Sequence, residues 1–493
     1  MTENTAFSSS GEDVINRVLD ISLEGSTDAF TEEEFLEYYD IHRTTNEIIQ
    51  GDYKRIALQF PDELLHDSVP IYKALKGAIG PERELYVLAD TSYGSCCVDE
   101  VAAQHVDADA VVHYGHACMS QTSRLPVVYV FGRKPIDVES CTRELLQSFR
   151  SSQQENKTVE LRIDVAYAHK TEEVVARIRT EDPTIQVQFN PLPQKTTPVK
   201  TVEASSTNAS SEVYEDENLS DSKTLFYVGG ESLSLTNLLM THSAYEVHAY
   251  DPSTKTARIE SARTNKLLMR RYAAVQKARD ADVFGILVGT LGVASYLPLI
   301  THLRAILKKV HKKSYTISVG KLNPAKLANF LEIECFVIVA CPENSVIEAK
   351  EFLRPIVTPY ELEIALRREP DWTGRYILDF KQVINSHVTE EAVEDKFDDE
   401  EEDQPEFSLI TGTYRQAKRY GGTSSTIQDN EISSAIALRN QENTLSVMPD
   451  SAAAHFLKSR TYQGLEQRIG EDAPSVLEQG RSGIARGYED DHR

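Results

Sequence analysis

The chain is poor in the features that mark several large protein classes. Its 493 residues contain no apolar run near the ~18 residues of a membrane helix, so no transmembrane span is expected. The stretch MTENTAFSSSGEDV has neither a basic nor an apolar segment, which argues against a secretory leader and makes the cytoplasm the expected compartment. Six cysteines cannot staple a chain of this length; in a reducing compartment clustered thiols serve as metal ligands or catalytic groups. No Cys-x-x-Cys pair occurs, which speaks against a zinc ribbon. Basic residues are also scarce: 52 Lys and Arg face 77 Asp and Glu, for a net charge of −25. A nucleic-acid binder normally shows a basic face, so no nucleic acid is expected as a partner. The acidic surface confers solubility and would suit a basic protein partner.

What is present is an ordinary globular composition, 40% hydrophobic, in a chain long enough for two to four domains. Apolar strands alternate with helical segments, which implies βαβ units and mostly parallel sheets. Residues 1–50 read as an N-terminal helical arm, with Thr31 and Glu34 forming a capping box ahead of EFLEYYDIHRTTNEII. Residues 51–150 hold the strands KRIALQF, ELYVLAD, DAVVHYGH and LPVVYVFG. Residues 155–268 hold VELRIDVAYAH, TIQVQFN, KTLFYVGG and EVHAYDP, interrupted at 191–222 by a polar, acidic stretch that reads as a disordered loop. Residues 269–388 hold DVFGILVG, YTISVG and CFVIVACPE. Strand, glycine-bearing turn, helix and strand recur three times, so three similar α/β domains are expected. Residues 389–493 begin with the like-charge run EEAVEDKFDDEEEDQPE and continue as an extended tail that has no core of its own.

Three sites bring a thiol to the carboxyl end of an apolar strand: Cys96 and Cys97 after ELYVLAD, Cys118 after DAVVHYGH, and Cys341 at the end of CFVIVAC. In open α/β sheets that edge is where ligands bind. Free cysteine most often packs as a small buried hydrophobe, and the shared location sets these apart. Cys141 begins a helix away from that edge. Cys335 starts the strand that Cys341 ends, and six strand residues span ~20 Å, too far to share a centre. Neighbouring side chains diverge, so one ligand is expected from the adjacent pair, and Cys96 is chosen. The predicted metal-ligand set is Cys96, Cys118 and Cys341. His113 and His116 flank the second site but read as satisfied loop histidines. His66, Asp62 and Trp372 read as packing or surface residues, and Gly229-Gly230 as a tight turn.

At these residues the chain resembles a known family. DYKRIALQFPDELL, ADTSYGSCCVDE and HYGHACMS are similar to the diphthamide-synthesis family, over Tyr39 to about Phe380. The tail TYQGLEQRIGEDAPSVLEQGRSGIARGY resembles the second of the two eukaryotic subunits. The resemblance implies three α/β domains around a [4Fe–4S] cluster, and a 3-amino-3-carboxypropyl adduct made on a histidine of elongation factor 2. In catalytic members one cysteine per domain holds the cluster, whose open iron takes S-adenosylmethionine; its reduction gives a 3-amino-3-carboxypropyl radical. Cys96 and Cys341 match the first and third of those ligands. The middle one is missing, since no cysteine lies between Cys141 and Cys335, and Cys118 is expected to replace it. The implied role is an electron relay that keeps a catalytic first subunit reduced, with S-adenosylmethionine on that subunit and no catalytic residue in this chain. The implied partners are that subunit, elongation factor 2, and a small electron-donor protein with its reductase. A cluster-independent scaffold that positions elongation factor 2 is the alternative, and a self-sufficient radical enzyme the third reading.

Overall fold

The structure is a computed structural model that describes residues 30–88, 93–152, 157–198, 224–347, 351–367, 376–391, 406–418, 436–439 and 445–448, with isolated residues at 372, 374, 420 and 456. The expected loop 191–222 beyond residue 198, most of the acidic run and most of the tail lie outside the described residues.

The first domain begins with helices α1 (Glu32–Tyr38) and α2 (Ile41–Gln50). Thr31 and Glu34 close the predicted capping box. The single helix read from the sequence is two, because Asp40 between them takes a left-handed backbone conformation, φ 47°. Tyr39, Ile41 and Ile48 are buried against Ile56, Leu58 and Ile71, and the Tyr39 hydroxyl donates to Asp67 at 2.6 Å. The body follows as β1 (Arg55–Gln59), α3 (Ser68–Ile79), β2 (Glu84–Val87), α4 (Glu100–His105), β3 (Ala110–Tyr114), β4 (Val127–Val130) and α5 (Val138–Ser151).

The middle domain contains β5 (Thr158–Ile163), α6 (Thr171–Glu181), β6 (Gln186–Phe189), β7 (Lys195–Thr196), β8 (Thr224–Val228), α7 (Leu233–Thr241), β9 (Glu246–Asp251), β10 (Thr256–Ile259) and α8 (Ser261–Arg279). The third contains β11 (Val283–Val288), α9 (Tyr296–Lys309), β12 (Lys313–Ser318), α10 (Pro324–Leu327), β13 (Cys335–Val339), α11 (Pro342–Ser345), β14 (Ile356–Val357), α12 (Pro359–Leu366) and α13 (Phe380–Glu391).

The three sheets repeat one topology. Their parallel strands run β2-β1-β3-β4, β6-β5-β8-β9 and β12-β11-β13-β14, each in the order second, first, third, fourth. The triplication expected from the sequence is therefore structural. Antiparallel β10 extends the middle sheet, and β7 pairs antiparallel with β4 across the first domain boundary. The central strands read as apolar runs because helices cover both faces: β3, β4, β8, β11 and β13 are buried along their whole length. Each sheet has its own core, and a small separate cluster of Cys96, Cys97 and Cys341 lies between them.

Beyond the third domain, a short hairpin, β15 (Glu406–Phe407) with β16 (Tyr414–Arg415), packs on that domain. Ser408 is buried and donates to Asp280 at 2.6 Å, and Arg415 pairs with the buried Asp282. A second compact unit, residues 427–493, contains the antiparallel pair β17 (Ile436–Arg439) and β18 (Leu445–Met448).

Candidate metal centre

The centre is built from three loops that leave the carboxyl ends of β2, β3 and β13. The first loop, Tyr93–Val98, carries two thiols and is clamped from below. Gln59, at the end of β1, donates to the Cys97 carbonyl at 2.7 Å and accepts from the Asp99 amide at 2.8 Å. His113 on β3 has Nε2 3.1 Å from the Ser95 carbonyl, which fixes that nitrogen as the protonated one. Full burial pushes His113 down to about 4, so it is a neutral strut at physiological pH. It lies on β3 and not in a loop, and among the described residues only Nε2 of its ring has a partner while the buried Nδ1 has none, so the satisfied loop histidine read from the sequence does not hold.

The second loop carries Cys118, whose amide donates to the Cys96 carbonyl at 3.1 Å. Glu100, buried at the start of α4, gathers its far side. That carboxylate accepts from the amides of Ser123, Arg124 and Leu125 at 3.2, 2.7 and 2.8 Å, and from the Ser123 hydroxyl at 3.2 Å. The third loop starts at Cys341, which is fully buried and sits at the N-cap of α11, where Pro342 opens the turn. Ser345 donates to the Ala340 and Cys341 carbonyls at 3.0 and 2.9 Å and ties that turn back on itself.

The sulfurs meet. Cys96 Sγ lies 3.6 Å from Cys341 Sγ, and Cys97 Sγ lies 3.8 Å from Cys118 Sγ. All four fall within 4.8 Å of one another, and all are free thiols. The three predicted residues are thus brought together, and Cys97 joins them. The tight turn closed by the Cys97 amide on the Gly94 carbonyl aims both neighbours at one point, where an extended strand would have parted them. Hydrogen bonding to Cys341, Cys96 and Cys97 holds the Cys118 thiol well below its ordinary range. The bonds to Cys118 push Cys96 and Cys341 up, and burial adds to both shifts. Cys118 is also the half-buried member of the four.

The other cysteines stay outside. Cys141 packs in the core of the middle domain, where burial pushes it up to about 12. Cys335 is buried at the start of β13. Trp372 packs against Tyr272 and the third core, as expected of a packing residue.

Two groupings beside the thiols go beyond the sequence reading, which noted His116 only as a loop histidine. His116 Nε2 lies 2.7 Å from Glu343, and Ser234 of the middle domain donates to the same carboxylate at 2.6 Å, so all three domains meet beside the thiols. Burial lowers His116 and the Glu343 contact more than compensates, leaving it above its ordinary value. Asn344 donates through Nδ2 toward Cys96 Sγ at 3.2 Å and Cys341 Sγ at 3.4 Å.

Four soft thiolate donors converging from separate loops suit zinc, copper(I) or an iron–sulfur cluster, so the donor set fits the cluster expected from the resemblance. Fold and site together define a three-domain α/β protein with a group of four converging cysteines that could hold a metal. The model of the diphthamide synthesis protein family matches residues 60–377, and the chain belongs to that family. Over 99% of both chains it is 42% identical to 2-(3-amino-3-carboxypropyl)histidine synthase subunit 2 of Gallus gallus. The protein of that name from Schizosaccharomyces pombe is 40% identical over 93% of this chain and 91% of its own. Among solved structures, Dph2 from Pyrococcus horikoshii is similar at TM-score 0.51 and 20% identity, covering 69% of this chain and 93% of that one. The same protein with a 4Fe-4S cluster is similar at TM-score 0.50. These two likenesses concern the fold, which agrees with the three-sheet architecture.

Proposed function

We propose that this chain binds one [4Fe–4S] cluster through Cys96, Cys118 and Cys341, with Cys97 at the same site, and relays electrons to a catalytic partner subunit during diphthamide synthesis. The reading rests on one observation: free thiols as far as 245 residues apart in sequence lie in sulfur–sulfur contact at a domain junction. The reaction so served is transfer of a 3-amino-3-carboxypropyl group from S-adenosylmethionine, held by the partner, to a histidine of elongation factor 2. A small electron-donor protein and its reductase would refill the relay. When bound, the cluster supplies one-electron transfer.

The chain's own residues hold and shield that centre. Gln59, His113 and Glu100 fix the loops, and the burial of Cys96, Cys97 and Cys341 keeps water from three of the thiols. Cys118, its thiol held low and least covered, marks the side from which the centre is reached. The middle domain contributes no thiol, which separates this chain from the one-cysteine-per-domain pattern of the catalytic members it resembles.

The test is a Cys96→Ser, Cys118→Ser, Cys341→Ser variant assembled with its partner and assayed on elongation factor 2. Under limiting electron donor, modification should fall at least tenfold and recover with excess chemical reductant. Full activity under limiting donor would instead support the scaffold reading.

The sulfur spacing favours a second reading. A tetrahedral zinc site, with Zn–S about 2.3 Å, has sulfurs about 3.8 Å apart, close to the 3.6 and 3.8 Å seen here. Acid-labile sulfide separates the two: iron with matching sulfide supports the cluster, and zinc without sulfide supports a structural ion.

A further inference from the structure

We propose that Asn344 is a positioning residue that sets the reduction potential of the centre, through a carboxamide donor shared between two ligand sulfurs. The inference rests on the cluster reading given above. Asn344 Nδ2 is 3.2 Å from Cys96 Sγ and 3.4 Å from Cys341 Sγ, so one NH2 group spans thiols of the first and third domains. An amide carries two N–H donors, and two sulfur acceptors match that inventory.

Its backbone is held for the task. Asn344 lies in α11, whose first turn begins at Cys341, and its amide donates to the Cys341 carbonyl at 3.0 Å. The ligand and its donor therefore move as one unit. Room for the carboxamide comes from the opposite loop. A Cβ built on Gly94 would lie 2.4 Å from Asn344 Nδ2, closer than any real contact, and 3.7 Å from Cys96 Sγ. A side chain at 94 would therefore push this donor aside.

Adding an electron to an iron–sulfur centre adds negative charge that spreads onto its thiolate sulfurs. N–H donors aimed at those sulfurs stabilise the reduced form more than the oxidised one, and hydrogen bonds to sulfur are among the levers that set such potentials. Asn344 is neutral, so its contribution is independent of pH. Removing the donor lowers the potential and makes the centre harder to charge.

The experiment is an equilibrium redox titration of the reconstituted heterodimer, followed by the EPR signal of this chain's reduced centre, with iron and sulfide measured on each sample. Asn344→Leu keeps the branched shape and removes the donor; Gly94→Ala keeps the donor and displaces it. At one ambient potential, both variants should show about a tenfold lower ratio of reduced to oxidised centre, ~59 mV for a one-electron couple. Asn344→Gln, which restores an amide on a longer arm, should recover part of that shift. Full iron loading with an unchanged potential in both Asn344→Leu and Gly94→Ala overturns the inference and leaves the cluster reading standing. A wild-type chain that takes up no iron and sulfide overturns both.

Discussion

The first and middle domains share a strand order and differ in what their loops carry. After the third strand of its sheet, the first domain places Cys118; the third domain, at the matching point after β13, places Cys341. The middle domain has Gly229-Gly230 there, after β8. A Cβ on Gly229 would lie 2.8 Å from the Tyr227 hydroxyl and 2.9 Å from Asp164 Cβ. Tyr227 in turn bonds Asp164 and Ser232 at 3.3 and 3.2 Å. One scaffold thus presents a thiol of the candidate centre in two copies and a packed polar knot in the other. Chemistry sits in residues grafted on the sheet edge, and a repeated fold does not repeat it.

The strongest way to break this contrast is to exchange one ligand. Cys341→Ser should lower iron bound to this chain at least tenfold, while Cys141→Ser, in the middle core, should leave it unchanged; iron and sulfide analysis decides. Equal iron in both variants would remove the distinction between the domains.

Next comes pH. Burial holds His113 at about 4 against 6.5 for a free imidazole, so the folded chain resists its protonation. A depressed histidine stabilises the fold above the unfolded value and loses that contribution as pH falls from 6.5 toward 4. The loss should reach about 3 kcal/mol. Urea unfolding of wild type and His113→Gln at about pH 7 and about pH 4 should show wild type losing that much more; parallel pH profiles would contradict it.

Smaller effects separate loop support from packing. Glu100→Ala leaves three loop amides without their acceptor and should cost about 2 kcal/mol, with weaker iron retention on chelator challenge because the Cys118 loop loosens. Gly229→Ala should cost about 1–2 kcal/mol through overpacking, with iron retention unchanged. If the second variant also shed iron, the middle domain would have a share in the centre.

Much of this was legible in the sequence because parallel strands buried on both faces appear as apolar runs, and CFVIVAC or DAVVHYGH ends where the loop begins. That punctuation put Cys96, Cys118 and Cys341 on one edge. Cys97 was not legible as a neighbour of the others, since the divergence of adjacent side chains holds for a strand and fails in the Gly94–Cys97 turn. Asn344 and the Ser234–Glu343–His116 junction were hidden for another reason. Apart from the local Asn344–Cys341 contact, their partners lie more than a hundred residues away, and no local pattern announces a contact that only domain packing creates. The helix break at Asp40 was missed because Asp at a left-handed position has no signature apart from the residue itself.

The most direct measurement is Mössbauer and EPR spectroscopy of the reduced heterodimer in which only this chain's thiols remain as cluster ligands. A [4Fe–4S] signal that disappears on Cys341→Ser is the expected result. A dimer without that signal, or one whose signal persists when Cys341 is replaced, would contradict convergence of the distant thiols on one iron–sulfur centre.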